Sequence, residues 1–132
     1  MKVYYFTRTG RSQKIAGELA ASLGTEAIRI MDGKNWDGAW GYLKAGFMAA
    51  TGKSLSPQCT LPGEAEPSIV VFPVWAGGFP PAVKGFLEKA GRQNIIAVPT
   101  SLGGTLKDRS GFAEVIDLVG KEIAAPEIKS TR

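Results

Sequence analysis

Short apolar runs alternate along the chain with segments whose apolar residues recur at helical spacing. The runs of strand character lie at residues 2–6, 27–30, 68–74 and 94–98. The third of these, SIVVFPV, is apolar at positions that would face both sides of a sheet, which is typical of a central parallel strand. Ile123, Ala125 and Ile128 predict a fifth short strand, which Pro126 would restrict to a sheet edge or a bulge.

Four segments between these runs predict helices. The first covers residues 12–23 and ends at Gly24, and the third begins at Pro81 and ends at Gly91. The second helix is predicted from the stripe formed by Trp36, Trp40, Leu43 and Phe47, which is more typical of a core-facing helix than of a cofactor site. The fourth helix is predicted from Phe112, Val115, Ile116 and Val119, with Gly120 closing it.

This alternation predicts a single α/β domain over residues 1–132. Strands that alternate with helices form a parallel sheet, because right-handed crossovers carry the chain back in the same direction. We therefore expect an open parallel sheet that is covered by helices on both faces.

Composition and charge exclude several classes of function. Sixteen basic and twelve acidic residues give a net charge of +4, but the basic residues are scattered, which disfavours a nucleic-acid-binding protein. The chain has no histidine, so His-based acid–base catalysis and the usual Cys/His zinc sites are excluded. The single cysteine, Cys59, excludes an internal disulfide, and we interpret it as a spectator thiol. If the protein is a catalyst, we therefore expect a cofactor to supply its reactivity.

Hydropathy indicates neither a membrane span nor a secretory signal. No apolar run approaches the roughly 18–20 residues needed to cross a bilayer, and Met1-Lys2 leads directly into a strand. A cytoplasmic location is the default expectation.

Three glycine-rich loops each follow a predicted strand. They cover residues 7–12, 75–80 and 99–105. Ligands of open parallel sheets bind outside the carboxyl ends of the strands, at the point where the strand order reverses. We therefore expect the three loops to form a single pocket.

The first loop, within FTRTGRSQKIA at residues 6–16, has the chemistry of an anion site. The start of a helix leaves backbone N–H groups unpaired and carries partial positive charge, and both favour a phosphate. Hydroxyls of Thr7, Thr9 and Ser12 could donate hydrogen bonds to it, and Gly10 would allow close approach of the backbone. Arg8 and Arg11 add guanidinium groups suited to phosphate. The alternative interpretation is an ordinary helix N-cap at Ser12 with two solvated arginines.

The stretch VYYFTRTGRSQKIAGEL resembles the flavodoxin signature, a strand followed by S/T-x-T-G-x-T and a helix, with Ser12 where the family usually has threonine. PVWAGGFPPAVKGFLEK resembles the second flavin loop of short flavodoxin-like proteins, and GYLKAGFMAATGK at residues 41–53 is similar to a further segment of that group. The resemblance implies a flavodoxin-like sheet of five parallel strands in the order 2-1-3-4-5. It spans most of residues 1–105.

The same resemblance implies that the cofactor is FMN. It assigns phosphate binding to Thr7, Arg8, Thr9, Gly10, Arg11 and Ser12. It assigns further cofactor contacts to Pro73, Val74, Trp75, Ala76, Gly77, Gly78, Ser101, Leu102, Gly103 and Gly104, with the flavin ring between the two later loops.

Two of these assignments carry specific expectations. Trp75 matches the position where flavodoxins often place an aromatic ring against the flavin; the alternative is an aromatic at the top of the core. Gly77 and Gly78 match a loop in which, in that family, one peptide reorients when the flavin accepts an electron. Glycine lowers the cost of such a movement.

The chain departs from flavodoxins in charge and in its carboxyl-terminal part. Electron-carrying flavodoxins are acidic, whereas this chain is basic, which implies a higher reduction potential and different partners. The final covering helix is expected to be missing, so that another copy of the chain could cover the last strand in a homodimer.

Three functions remain open at this point. The favoured one is an FMN-binding electron-transfer protein with a protein redox partner. An FMN-dependent reductase or oxidase of a small acceptor, such as a quinone, is the second, and the lack of an aromatic residue at 101–104 favours it. The third is a flavin-free interaction module in which Arg11 fills the phosphate site. Whether the protein is an enzyme is therefore left open.

Overall fold

A parallel sheet with one described helix on each face forms the fold. The computed structural model describes residues 1–31, 57, 59–63 and 66–128, and the structural statements below concern these residues. The strands are β1 (Lys2–Tyr5), β2 (Ala27–Arg29), β3 (Ser68–Pro73), β4 (Ile95–Ser101), β5 (Glu114–Val115) and β6 (Leu118–Val119). The helices are α1 (Arg11–Leu23) and α2 (Pro81–Ala90).

The strand order is β2-β1-β3-β4-β5, as the flavodoxin resemblance implies. Strand β6 pairs with β4 as well, nearer the carboxyl end of β4 than β5, so β5 and β6 together form the fifth position of the sheet. Every strand pair is parallel, including β1 with β3 and β3 with β4. The central strand β3 is buried over its first five residues, because α1 and α2 cover its two faces. The carboxyl ends of β1, β3 and β4 therefore lie at one edge of the sheet.

The two helices pack on opposite faces. Ile15 and Leu19 of α1 pack against Val3, Ile69 and Val98, whose side chains point to one side of the sheet. The other face carries Tyr4, Val70, Phe72 and Ala97, and α2 covers it with Val83, Phe86 and Leu87. The predicted ends of these helices are confirmed, since Gly24 caps α1 in a left-handed conformation, and α2 begins at Pro81 and is capped by Gly91.

The predicted fourth helix, from Phe112 to Val119, is wrong. This segment is extended and continues the sheet as β5 and β6, with Ile96 opposite Glu114 and Thr100 opposite Leu118. The Ile116 amide donates to the carbonyl of Ala97 at 2.8 Å. The open edge of β4 needs hydrogen-bond partners, and this requirement outweighs the helical spacing of the apolar residues. Those residues serve both faces of the sheet, since Val115 packs on the α2 side and Ile116 on the α1 side.

The predicted fifth strand at Ile123, Ala125 and Ile128 is also wrong. Residues 121–128 have no regular secondary structure. Ile128 is buried in the core beneath α1, and Ile123 and Ala125 pack against that core. The segment thus covers part of the α1 face, and no helix follows β6 up to residue 128.

The predicted helix at Trp36, Trp40, Leu43 and Phe47 lies outside the described residues, as does the similar segment at 41–53. Within the described ranges, no helix has the length and apolar character that a bilayer crossing requires.

Candidate functional site

The three predicted loops meet in one cavity at the carboxyl edge of the sheet. The cavity has a volume of about 610 Å³, within the range of about 300–1,000 Å³ common for small-molecule sites. Its lining residues are Thr7, Arg8, Thr9, Arg11, Ser12, Pro73, Val74, Trp75, Ala76, Gly77, Thr100, Ser101, Leu102, Gly103 and Gly104. Every predicted site residue except Gly10 and Gly78 is in this lining, and those two belong to the turns that shape it.

The first loop turns sharply before α1. Gly10 has a φ of 94°, and its amide donates to the Thr7 Oγ1 at 2.8 Å. Gly10 is also the N-cap, and it provides no side-chain hydrogen bond to the helix. The interpretation of Ser12 as the N-cap is therefore wrong, since Ser12 lies inside the first turn. The first N–H groups of a helix lack intrahelical partners, so this uncapped end offers donors at the cavity.

The Ser12 hydroxyl forms a buried pair with a residue of β4. Its Oγ lies 3.0 Å from the Oγ1 of Thr100, and either hydroxyl could be the donor. Both residues are 2% exposed and both line the cavity. Thr100 Oγ1 also lies 3.4 Å from the carbonyl of Phe72, so the pair links α1, β4 and β3 at the cavity floor. When Thr100 donates its single proton to the Phe72 carbonyl, Ser12 is the donor within the pair.

The two arginines of the loop have different surroundings. Arg11 donates a hydrogen bond through Nη2 to the carbonyl of Gly120, in the turn that follows β6. This contact joins the start of α1 to the fifth position of the sheet and uses one of the five guanidinium donors. Arg8 lines the same end of the cavity, which thus carries two cationic side chains.

The second loop is a tight turn over residues 75–78. Trp75 and Gly78 exchange both backbone hydrogen bonds, at 3.0 and 2.9 Å. Ala76 and Gly77 lie at its centre with φ of 51° and 78°, as a type I′ turn requires. The carbonyl of Gly77 accepts a hydrogen bond from the amide of Lys107 at 2.9 Å, and a Cβ on Gly77 would lie 2.8 Å from Lys107 Cε. The turn is therefore held on two sides, and the Gly77 carbonyl is engaged by the chain itself.

The ring of Trp75 belongs to the core. Trp75 is 8% exposed, and its ring meets Phe6 edge-on with centroids 5.4 Å apart. This arrangement matches the alternative interpretation of an aromatic at the top of the core, and the same residue also lines the cavity. Of the described residues that line the cavity, Trp75 is the only aromatic one.

The third loop leaves an apolar side chain in solvent. Leu102 lines the cavity and is 68% exposed, while the Ser101 hydroxyl donates to the carbonyl of Gly104 and closes the loop on itself. The cavity thus has a cationic, hydroxyl-rich end at residues 7–12 and an apolar side formed by Pro73, Val74, Ala76 and Leu102.

Cys59 lies apart from this site. It packs against the core beneath α2, and burial raises the pKa of its thiol. A raised pKa leaves less thiolate at neutral pH, which agrees with a spectator role. Beside it, the buried Tyr4 donates to the carbonyl of Thr60 at 2.8 Å, and burial raises the pKa of Tyr4 to about 12.

Sequence analysis missed three residues that complete the site: Thr100, Lys107 and Gly120. Thr100 lies within the loop predicted at 99–105 but was not among the predicted site residues, so its place in that loop was the available signal. Lys107 and Gly120 reach the site through contacts with Gly77 and Arg11 over sequence separations that no local pattern reveals.

Comparison with known proteins shows the fold. A flavoprotein from Lactobacillus acidophilus NCFM, crystallised in complex with FMN, is 15% identical with a TM-score of 0.64, over 89% of each chain. A candidate flavoprotein from Bacteroides uniformis ATCC 8492 is 19% identical with a TM-score of 0.61, over 92% of this chain and 90% of the other. Another, from Bacteroides eggerthii DSM 20697, is 16% identical with a TM-score of 0.62, over 89% and 85%.

No protein-family model matches the sequence, and no curated protein matches it. At these identities the likeness concerns architecture rather than chemistry. The strand order, the helices on both faces and the solved neighbours together show that this chain has a flavodoxin-like α/β fold.

Proposed function

We propose that this protein binds FMN in the cavity at the carboxyl edge and acts as a redox protein. The observation that supports this most strongly is the two-ended character of the cavity. One end has an uncapped helix start, hydroxyls and two arginines, and one side is apolar. FMN has a matching division between a dianionic phosphate and a flat, largely apolar ring.

Phosphate binding would fall to the first loop. The backbone N–H groups at the start of α1 would donate to phosphate oxygens, together with the hydroxyls of Thr7 and Thr9. Arg8 and Arg11 would balance the charge, and Arg11 could do so while still bound to the Gly120 carbonyl, because a guanidinium has five donors.

The other two loops would border the flavin ring. Bound FMN would supply one- and two-electron redox chemistry, which this histidine-free chain lacks among its own side chains. The backbone of residues 101–104 would offer N–H groups to the ring, and the turn at 75–78 would hold a fixed edge of the pocket. Since the Gly77 carbonyl already accepts from Lys107, its reorientation would require that hydrogen bond to break.

Within this proposal, electron transfer to another protein is the redox role that we favour. An FMN-dependent reductase of a small acceptor is the second candidate. The third loop supports this second role, because residues 101–104 include no aromatic side chain to cover the flavin from that side, which would leave room there for an acceptor.

Flavin retention tests the proposal. The purified protein is incubated with FMN, desalted and examined for visible flavin absorbance and quenched tryptophan fluorescence. We expect FMN to be retained by the wild type and by Lys89→Glu, in the last turn of α2 at the opposite sheet edge, and to be lost from Arg8→Glu, which has the same net charge. Loss of flavin from the wild type would leave the flavin-free interaction module as the better description.

The two redox roles separate in a second assay. The FMN-loaded protein is mixed with NADH or NADPH and a quinone, and oxidation of the nicotinamide is followed. Rapid multiple turnover would indicate a reductase, whereas its absence, with ready reduction of the flavin by dithionite, would favour an electron carrier.

A further inference from the structure

Three of the four described segments around the mouth of the cavity carry basic residues, and the fourth, residues 73–80, carries no charge. Residues 6–12, 73–80, 101–107 and 118–121 contain four cations, Arg8, Arg11, Lys107 and Lys121, and no Asp or Glu. This bias is local, because the whole chain carries twelve acidic residues against sixteen basic ones.

Lys107 and Lys121 lie at this mouth, outside the cavity lining. The side chain of Lys107 crosses the turn at Gly77, which lines the cavity, and it is solvent-exposed. Lys121 is also exposed and follows Gly120, whose carbonyl accepts the hydrogen bond from Arg11. A phosphate in the cavity would balance Arg8 and Arg11, and Lys107 and Lys121 would keep their charge available to a partner.

Two carboxylates near this mouth are already matched by arginines. Asp108 binds Arg92 at 2.9 Å, and Asp117 binds Arg109 at 2.6 Å. Glu122 is the next acidic residue after Lys121 in the chain. Of the three carboxylates Asp108, Asp117 and Glu122, the first two are paired with arginines, so Glu122 is the one that mainly reduces the positive potential of Lys107 and Lys121.

Apolar side chains accompany the lysines. Leu102 is 68% exposed and Val119 is 48% exposed, and they are two of the four large hydrophobic residues exposed in the described chain. They are close together, because Val119 is paired with Ser101 in the sheet and the Gly120 amide donates to the Ser101 carbonyl at 2.9 Å. Exposed apolar groups beside charged side chains are typical of a protein docking surface.

We propose that this basic rim, defined as Leu102, Lys107, Val119 and Lys121, docks a protein with an acidic surface. The apolar pair would supply the contact at the centre, and the two lysines would steer and orient the partner. The inference rests on the proposed function in one respect: the phosphate that balances Arg8 and Arg11 is taken to be that of FMN. Docking itself can be measured without flavin, so the two proposals can fail separately.

Residue-specific NMR tests the docking. A ¹⁵N-labelled sample is titrated with a plant-type ferredoxin carrying gallium in place of iron, an acidic and diamagnetic probe, and separately with the basic protein cytochrome c. We expect the acidic probe to shift the amides of residues 101–107 and 118–121. These shifts should disappear when the salt is raised from about 20 mM to about 0.5 M, because the Debye length then falls to a few ångströms.

Charge variants at matched net charge sharpen the test. Lys107→Glu and Lys121→Glu should each weaken binding of the acidic probe by about two- to tenfold, which is the range expected for reversing one rim charge. Lys107→Gln, which keeps an extended polar side chain beside Gly77, should have an intermediate effect. Lys89→Glu, in the last turn of α2 at the opposite edge of the sheet, should change the affinity less than about twofold, because it lies outside the proposed contact surface.

Several outcomes would overturn the proposal. Shifts located away from the basic rim, equal shifts with cytochrome c, or an equal effect of Lys89→Glu and Lys107→Glu would each show that this surface does not select an acidic partner. The same titration repeated with FMN present separates the two proposals. Docking without FMN binding would refute the proposed function alone. FMN binding without docking would refute the proposal that the basic rim docks an acidic protein.

Discussion

The hydroxyl pair of Ser12 and Thr100 provides a quantitative test of how the cavity floor is held together. Ser12 belongs to the first turn of α1 and Thr100 to β4, and their oxygens lie 3.0 Å apart with both residues 2% exposed. We predict that removing either hydroxyl lowers the free energy of unfolding, and that the two effects are not additive.

The magnitudes follow from what each substitution leaves behind. Thr100→Val leaves the Ser12 hydroxyl without its partner at a buried position, and the expected cost is about 1–2 kcal/mol, because cavity water can satisfy part of that loss. Ser12→Ala leaves Thr100 its longer contact with the Phe72 carbonyl at 3.4 Å, so we expect a cost of about 1 kcal/mol. The double variant should lose less than the sum, with a coupling energy of about 0.5–1.5 kcal/mol.

Urea unfolding followed by circular dichroism measures these free energies. Thr100→Ser is the matched control, because it keeps the hydroxyl and should retain most of the coupling to Ser12. If the two single effects add within about 0.3 kcal/mol, the pair makes no energetic contribution and our description of the cavity floor is wrong.

Three further predictions concern the turn, the loop before β5 and the core. Ala76→Gly should stabilise the protein by about 0.5–1 kcal/mol in thermal unfolding, because Ala76 has a φ of 51°, and an unchanged or lowered stability would contradict that strain. Hydrogen bonds from Arg92 lower the pKa of Asp108, so its contribution to stability is present above the ordinary pKa of 3.8 and is lost as the pH falls through the lower folded value. Asp108→Asn should therefore reduce the loss of unfolding free energy at acid pH. The same loss in this variant as in the wild type would contradict the prediction. Burial raises the pKa of Tyr4 from 10.0 to about 12, so the folded protein should lose stability as the pH rises from 10.0 towards that value, and Tyr4→Phe should remove this alkaline loss.

The elements that sequence analysis predicted correctly are those with strong local signals. Strand β3 is apolar on both faces, and α2 carries Pro81 at its start and Gly91 at its end. The start of α1 was also predictable, because Gly10 follows a strand and precedes an amphipathic segment. These signals act within a few residues, so they survive in the folded chain.

The segment from Phe112 to Val119 shows where local signals fail. Its apolar residues fit helical spacing, yet the structure uses them on both faces of an added strand position. The free edge of β4 decides the outcome, and that edge is formed by residues more than ten positions away. The Arg92 side chain, whose Cζ lies over the adjacent rings of Phe79 and Phe112 at about 5 Å from each centroid, holds the preceding loop in place.

The site was predictable in its members more than in its contacts. Loop composition and the flavodoxin resemblance identified most of the cavity lining. The pairing of Ser12 with Thr100, 88 residues apart, and the contact of Arg11 with Gly120, 109 residues apart, depend on how β4 and the fifth sheet position are aligned. The burial of Trp75 likewise follows from packing against Phe6, which no local pattern encodes.

The central claim is that the end of the cavity at residues 7–12 recognises the phosphate of FMN. Calorimetric titration with FMN and with riboflavin, which lacks only the phosphate, tests it most directly. Charge-assisted hydrogen bonds to the phosphate should make FMN bind at least about tenfold more tightly than riboflavin, and Arg8→Gln should reduce that ratio while leaving riboflavin binding nearly unchanged. Equal affinities for the two flavins, or no binding of FMN, would contradict the account.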